Sequence, residues 1–73
     1  MQDFINFVAE IMEVDPATLN ASTAYKSIPQ WDSLMHMRLV MEVEEEYDVE
    51  IPIDKMAELT TLAAIYDYIE AGA

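Results

Sequence analysis

Several residue types are absent or scarce in this sequence, and each absence excludes a class of structure or chemistry. The 73 residues contain no cysteine, which excludes disulfides, cysteine zinc sites and cysteine nucleophiles. Any thiol chemistry would therefore need a thiol from a covalently attached group. No apolar run approaches the roughly 20 residues of a membrane span, and the first residues lack the positive charge of a secretion signal. We therefore expect a cytoplasmic protein without membrane insertion.

Basic residues are also scarce. Lys26, Arg38 and Lys55 stand against fifteen acidic residues, and the formal net charge is −12. Such a surface repels nucleic acid and attracts cationic partner surfaces. Solubility alone needs a net charge of roughly 2 to 8 in a small domain, so the excess favours a role in binding basic partners. The simpler alternative is that the charge only keeps the domain dissolved.

The residues that are present indicate a small helical domain. Hydrophobic residues make up 53% of the chain, which is ample for one layer of helix packing in a single domain. We predict a monomeric, all-α domain over residues 1–73, a small bundle of three main helices and one short helix. The predicted segments are Asp3 to Glu13 with Asp3 as N-cap, Ser33 to Tyr47 with Asp32 as N-cap, the short helix Ile53 to Leu59, and a last helix capped by Thr60 or Thr61 and ended by Gly72.

A long segment without helical period separates the first two predicted helices, from Asp15 to about Trp31. A connection of this length in so small a domain is usually functional or disordered. Three spaced apolar residues could anchor it to a core: Leu19, Tyr25 and Ile28. We therefore predict a long but ordered first loop.

The predicted second helix has an apolar and a polar arc when its residues are placed about 100° apart. The apolar arc contains Leu34, Met37, Val40, Met41, Val43 and Tyr47. The opposite arc contains Arg38, Glu42, Glu45 and Glu46. Met35 falls between Glu42 and Glu46, so we expect its side chain to be exposed.

The start of this helix is the first candidate site. Asp32 can accept hydrogen bonds from the free amides of the first turn, which leaves the hydroxyl of Ser33 outside the core. The positive end of the helix favours an anion, so a phosphodiester on Ser33 would be stabilised by roughly 0.3 to 1 kcal/mol. An Asp-Ser pair is also ordinary capping sequence, and the dipeptide alone does not decide between these interpretations.

The segments around this pair resemble those of a known family. Asp32-Ser33-Leu34, the run Leu39-Val40-Met41 and the run Glu44-Glu45-Glu46-Tyr47 resemble the second helix of acyl carrier proteins. Val14-Asp15-Pro16 and Leu59-Thr60-Thr61-Leu62-Ala63 resemble flanking segments of the same family. The resemblance covers nearly the whole chain, in the right order and at the right length.

The resemblance implies a carrier and not an enzyme. In the family, the serine after the aspartate bears 4′-phosphopantetheine through a phosphodiester, and substrates ride on its terminal thiol as thioesters. The implied attachment residue is Ser33, with Asp32 and Leu34 beside it. The implied partners are a phosphopantetheinyl transferase, which draws on coenzyme A, and an acyltransferase, acyl ligase, ketosynthase or similar enzyme with a basic docking surface. Asp-Ser-Leu, rather than the His-Ser-Leu usual in peptidyl carriers, favours an acyl cargo.

A few residues near the serine depart from the family pattern. The chain has Gln30 where members often have glycine, Trp31 before the aspartate, and Met35 and Arg38 where fatty-acid carriers tend to be acidic. Fatty-acid, polyketide and sugar-modifying pathways all use such carriers, and these departures favour a specialised pathway among them. We predict that Trp31, Met35 and Arg38 reflect the identity of the partner enzymes; for Met35, a stray surface methionine is the alternative.

Two functional surfaces are predicted on or beside the second helix. Glu42, Glu44, Glu45 and Glu46 oppose the helix dipole without local gain, which favours docking of basic partner patches over a merely solvated face. The predicted partner-binding residues are Met35, Arg38, Glu42, Glu45 and Glu46. Flexible methionines favour a cavity for an acyl chain between the second and third helices, although ordinary core packing is the alternative. The predicted acyl pocket comprises Met37, Val40, Met41, Ile51, Met56 and Leu59.

Two other constellations are weaker. His36 follows the serine by three residues, but catalysis would also need an orienting acid, an oxyanion hole and a walled pocket. We therefore expect a packed or surface histidine. Asp48, Glu50 and Asp54 lack the glycine and the closing glutamate of a calcium loop, so no metal site is predicted. The rival function is an unmodified acidic domain that binds basic partners through its second helix.

Overall fold

The computed structural model describes residues 1–72 as a bundle of helices, which confirms the all-α prediction; Ala73, the last residue of the predicted domain, lies outside the described residues. Three helices are long and one is short, as predicted. The helices are α1 (Gln2–Met12), α2 (Ser33–Tyr47), α3 (Ile53–Glu58) and α4 (Leu62–Gly72), with a 3₁₀ turn at Pro16–Thr18. Across the described range the only β-type pairing is one isolated bridge between Ala24 and Thr61.

Helix α1 begins before the predicted N-cap. Met1 occupies the N-cap position without a side-chain hydrogen bond, and Asp3 lies within the first turn, so the prediction of Asp3 as N-cap is wrong. The physical reason is that Gln2 already belongs to the helix, where its side chain donates to Asn6 Oδ1 at 2.9 Å. Asp3 still complements the helix dipole from the first turn. The helix ends at Met12, and the C-cap residue Glu13 has a left-handed φ of 57°.

The long connection between α1 and α2 is ordered, as predicted. Leu19 is buried, and the backbone of the loop is tied to the start of α4. Tyr25 N donates to Thr60 O at 2.8 Å, and Leu62 N donates to Thr23 O at 3.1 Å. The loop therefore packs beside the α3–α4 connection and delivers its last residues to the start of α2.

The core joins all the long helices and the end of the loop. Its largest fully buried side chains are Trp31, Phe4, Leu39, Leu62, Ile65, Val8 and Val43. An aromatic cluster links α1 to α2 and α4: the ring of Phe4 lies 5.9 Å from that of Tyr47 and 5.5 Å from that of Tyr66. Burial of these rings contributes more to stability than helix propensity does in a chain this short.

Helix α2 is rotated relative to the predicted apolar arc. Its buried residues are His36, Leu39, Val40 and Val43. Leu34, Met37 and Met41, which were predicted to face inward, are 78%, 53% and 63% exposed. Leu34 lies roughly 180° from Val43 around the helix, so one packed face cannot include both. Leu39 and Val43 are fully buried and define the packed face of the helix. Leu34, Met37 and Met41 therefore form an apolar stripe on its outer side.

Candidate functional site

Asp32 caps α2 as predicted. Its backbone is extended, and its Oδ1 accepts a hydrogen bond from Met35 N at 2.9 Å. Ser33 is the first helical residue and is exposed, and Leu34 beside it is the exposed apolar residue noted above. The free amides of the first turn and the helix dipole together make this end of α2 favourable for a covalently held anion.

The hydroxyl of Ser33 has a partner that the sequence did not reveal. Tyr25 Oη lies 2.6 Å from Ser33 Oγ. The sequence identifies Tyr25 only as an apolar anchor of the loop, because a contact across eight residues of irregular chain has no periodic signal. The tyrosine is half-buried: its ring packs against the core while its hydroxyl reaches the serine.

The ring of Tyr25 rests on a buried pair of side chains. Its centroid lies 4.9 Å from that of His36, and Trp31 Nε1 donates to His36 Nδ1 at 2.9 Å. Because Nδ1 accepts this bond, the ring proton of His36 lies on Nε2, which donates to the Met56 carbonyl at 3.0 Å. His36 is therefore packed, as expected, and it connects the loop, α2 and α3.

Trp31 lies in the core and is out of direct reach of partner enzymes. Its side chain has no exposed surface, so no partner can contact the ring in this conformation. The residue is instead a core side chain whose indole N–H is paired with His36. The backbone of Trp31 is fixed as well, since its amide donates to Ile28 O at 3.1 Å and its carbonyl accepts from Lys26 N at 2.9 Å.

A cavity of about 330 Å³ opens beside Ser33, between α2 and α3. Only two of the six predicted acyl-pocket residues line it, Met37 and Met56. Val40, Ile51 and Leu59 are buried in the core, and Met41 lies on the outer surface of α2, so the prediction that it faces the gap is wrong. The lining residues are Tyr25, Ser33, His36, Met37, Met56, Ala57 and Thr60.

A larger groove of about 540 Å³ runs along the outer face of α2, and we call it the outer groove. Its lining residues are Pro29, Gln30, Asp32, Leu34, Met35, Met37, Arg38, Met41, Glu42 and Glu45. It brings together four of the five predicted partner-binding residues, and Glu46 lines a separate groove beside α1. Met35 is half-buried and packs against the core, so the expectation of an exposed side chain is wrong. Met35 precedes the buried Leu39 by one helical turn, so its side chain lies at the edge of the buried face.

The acidic residues of α2 do not form one uniform surface. Glu44 Oε2 accepts a hydrogen bond from Ile51 N at 2.8 Å, so this carboxylate fixes the connection between α2 and α3. The interpretation that local stability explains none of the cluster is wrong for Glu44. Glu42 lies 3.9 Å from Arg38 Nε, whereas Glu45 and the capping residue Asp32, which also line the outer groove, have no basic partner among the described contacts.

Residues 2–69 match the family model described as the phosphopantetheine attachment site. The match spans α1, the loop, α2, α3 and most of α4, and it includes the capped serine and its surroundings. Within residues 1–72, no helix combines the length and apolarity needed to cross a membrane, and the same residues contain no cluster of potential metal ligands.

Proposed function

The chain belongs to the phosphopantetheine attachment site family, and we propose that it is a stand-alone acyl carrier protein with Ser33 as its attachment residue. Domains of this family are sites of covalent 4′-phosphopantetheine attachment and act as carriers, not catalysts. They work together with a modifying transferase and with partner enzymes. The proposal assigns one carrier domain to this chain and places it in the cytoplasm, where coenzyme A is available to the transferase.

The single observation that carries the choice of residue is the position of Ser33. Its hydroxyl is exposed in the first turn of α2, next to the Asp32 cap and at the rim of the cavity between α2 and α3. A phosphodiester on this oxygen would carry its negative charge at the positive end of the helix. The arm would leave the protein beside a cavity large enough for part of its cargo.

The attachment step uses Ser33 as the nucleophile. Its Oγ attacks the phosphorus that bears the pantetheine arm of coenzyme A, and a new phosphodiester bond forms. The bond to the adenosine phosphate breaks, so that adenosine 3′,5′-bisphosphate leaves with the electron pair. The serine proton passes to a base of the transferase. The chain itself gains the thiol that its cysteine-free sequence lacks.

The cargo would then be an acyl group held as a thioester on that thiol. The apolar cavity beside Ser33 supports this class, because Met37, Met56 and Ala57 offer it carbon and sulfur surfaces. Such a carrier would serve fatty-acid, polyketide or another specialised synthesis. An acyltransferase or acyl ligase would load it, and a ketosynthase or similar enzyme would use the loaded acyl group.

The outer groove is the surface that we assign to these enzymes. The exposed stripe of Leu34, Met37 and Met41 offers apolar contact area beside the arm. Glu45 and the partly paired Glu42 add negative charge, so a basic patch with apolar side chains would fit. Binding of this kind gains rate from charge attraction and affinity from the apolar centre.

The proposal is tested by the intact mass of the purified protein after incubation with coenzyme A and a broadly specific phosphopantetheinyl transferase. We expect a gain of one phosphopantetheine on the wild-type chain and on Ser22→Ala, which removes an exposed serine of the loop. Ser33→Ala should show no gain while its circular dichroism stays helical. A gain that persists in Ser33→Ala refutes the assignment of Ser33 and places the modification on another residue. No gain in the wild type refutes the carrier function and favours the unmodified interaction domain.

A further inference from the structure

The hydrogen bond between Tyr25 and Ser33 points to a role that the proposed function does not include. We propose that Tyr25 is a positioning residue for the attachment reaction: its hydroxyl donates to Ser33 Oγ and orients this oxygen as the nucleophile. The observation is the 2.6 Å separation of the two oxygens. The inference rests on the proposed function, since it concerns the same serine.

The direction of the hydrogen bond follows from the chemistry of the two hydroxyls. A phenol is far more acidic than an aliphatic alcohol, and its oxygen shares a lone pair with the ring, so it is the better donor and the poorer acceptor. Tyr25 therefore donates and Ser33 accepts. The proton of Ser33 stays free to point into solvent, where a base of the transferase can take it.

Tyr25 is held well enough to position another group. Its backbone N–H donates to Thr60 O at 2.8 Å, which fixes the residue to the α3–α4 connection. Its ring packs on His36 and meets the edge of Trp31, with centroids 4.9 and 6.3 Å away. Lys26 Nζ lies 5.4 Å from the ring centroid on a face of the same ring. These contacts restrict the ring before any partner binds.

The hydrogen bond between Tyr25 and Ser33 has a consequence both during the attack on coenzyme A and after the arm is attached. During attack, negative charge moves through Oγ as its proton departs, and a donor already aimed at this oxygen stabilises it without rearrangement. After attachment, Oγ is a bridging ester oxygen and a weaker acceptor. The phenol would then donate to a non-bridging oxygen of the phosphodiester, which carries the charge and is bonded to the same phosphorus.

The test compares Tyr25→Phe with the matched control Tyr68→Phe. Both changes remove one phenolic hydroxyl that makes a hydrogen bond, but Tyr68 donates to Glu50 O, outside the attachment site. We expect Tyr25→Phe to lower kcat for phosphopantetheine transfer about 10-fold, the loss expected for one charge-assisted hydrogen bond. The KM for the carrier should stay within about twofold of wild type, because the ring remains. Tyr68→Phe should match wild type in both constants.

A second measurement is made on the protein that carries phosphopantetheine. The ³¹P resonance of the attached arm should shift in Tyr25→Phe and not in Tyr68→Phe, since only Tyr25 donates to the phosphodiester. An unchanged kcat, or a change confined to KM, overturns the positioning role and leaves the ring as a packing residue. If the wild-type chain takes up no phosphopantetheine at all, the proposed function fails first. If wild type and Tyr25→Phe react equally fast, only the positioning role fails.

Discussion

The buried pair of Trp31 and His36 shows how one residue can hold separate parts of this small protein together. The histidine accepts from the indole through Nδ1 and donates to the Met56 carbonyl through Nε2. Both of its nitrogens are therefore satisfied, and no described buried side-chain polar atom lacks a partner. His36, three residues after Ser33, thus connects the loop, α2 and α3 through packing and hydrogen bonds.

We expect His36→Phe to lower the free energy of unfolding by about 1 to 3 kcal/mol, because a buried indole N–H loses its acceptor. Urea unfolding followed by circular dichroism measures the loss. Trp31→Phe should also destabilise, by removing a ring that fills the core. The loss of unfolding free energy in the double variant should be smaller than the sum of the losses in the two single variants, because neither the indole N–H nor the Nδ1 acceptor remains without its partner. Additive losses would show that the hydrogen bond contributes nothing.

At the scale of the elements, Tyr47 joins α2 to α1. Its ring meets Phe4 at 5.9 Å and Phe7 at 5.6 Å. Burial raises the pKa of Tyr47 above its ordinary value of 10.0, and the charges of Glu46 and Asp3 raise it further. The folded protein thus keeps this phenol neutral at pH values where the unfolded chain ionises it.

The sign of the resulting pH dependence follows from linkage. Because the pKa is raised on folding, the contribution to stability is fully present below about pH 10 and is lost as pH rises through the folded value. We expect wild type to lose more unfolding free energy than Tyr47→Phe between about pH 8 and pH 11. Urea titrations at both pH values supply the comparison. Equal losses in the two proteins would exclude Tyr47 as the titrating group, since the other tyrosines are common to both.

The same elements show what sequence could and could not predict. The bounds of α2 were predictable because Asp32 is a strong cap before a run free of glycine and proline. The buried face was not, because Leu34, Met37 and Met41 have helical spacing whether they face a core or solvent. Only the packing of loop and helices around Leu39 decides that question. The Tyr25–Ser33 contact depends on an irregular loop and has no sequence signal.

At the scale of the whole molecule, charge is the dominant property. Of the three cations, Arg38 pairs with Glu42 and Lys55 lies 3.6 Å from Glu58, while Lys26 lies over the Tyr25 ring. The net charge of −12 surrounds a fold whose radius of gyration is 11.0 Å over the described residues. Repulsion among the carboxylates therefore opposes the folded state, and the same field attracts basic partners.

Salt should stabilise the folded chain, by screening the repulsion among its carboxylates, and weaken its attraction for basic partners. Raising the salt concentration from about 0.02 M to 0.5 M shortens the screening length several-fold, so we expect the melting temperature to rise and the KM of a basic transferase for this chain to increase. Calorimetry and initial rates provide the two measurements, with NaCl and KCl giving equal effects if screening is the cause. A melting temperature that falls with both salts would contradict the repulsion argument.

Ser33, the proposed attachment residue, owes its surroundings to separate parts of the chain. Tyr25 and Trp31 come from the loop, His36 from α2 and Met56 from α3. A peptide that copies residues 30–47 would carry the Asp-Ser pair and its helix cap, but neither the phenol nor the carbonyl that orients the histidine. Grafting this segment onto another helix would therefore transfer the recognisable motif and leave its hydroxyl without the partner it has here. What makes this serine distinct is a property of the assembled fold.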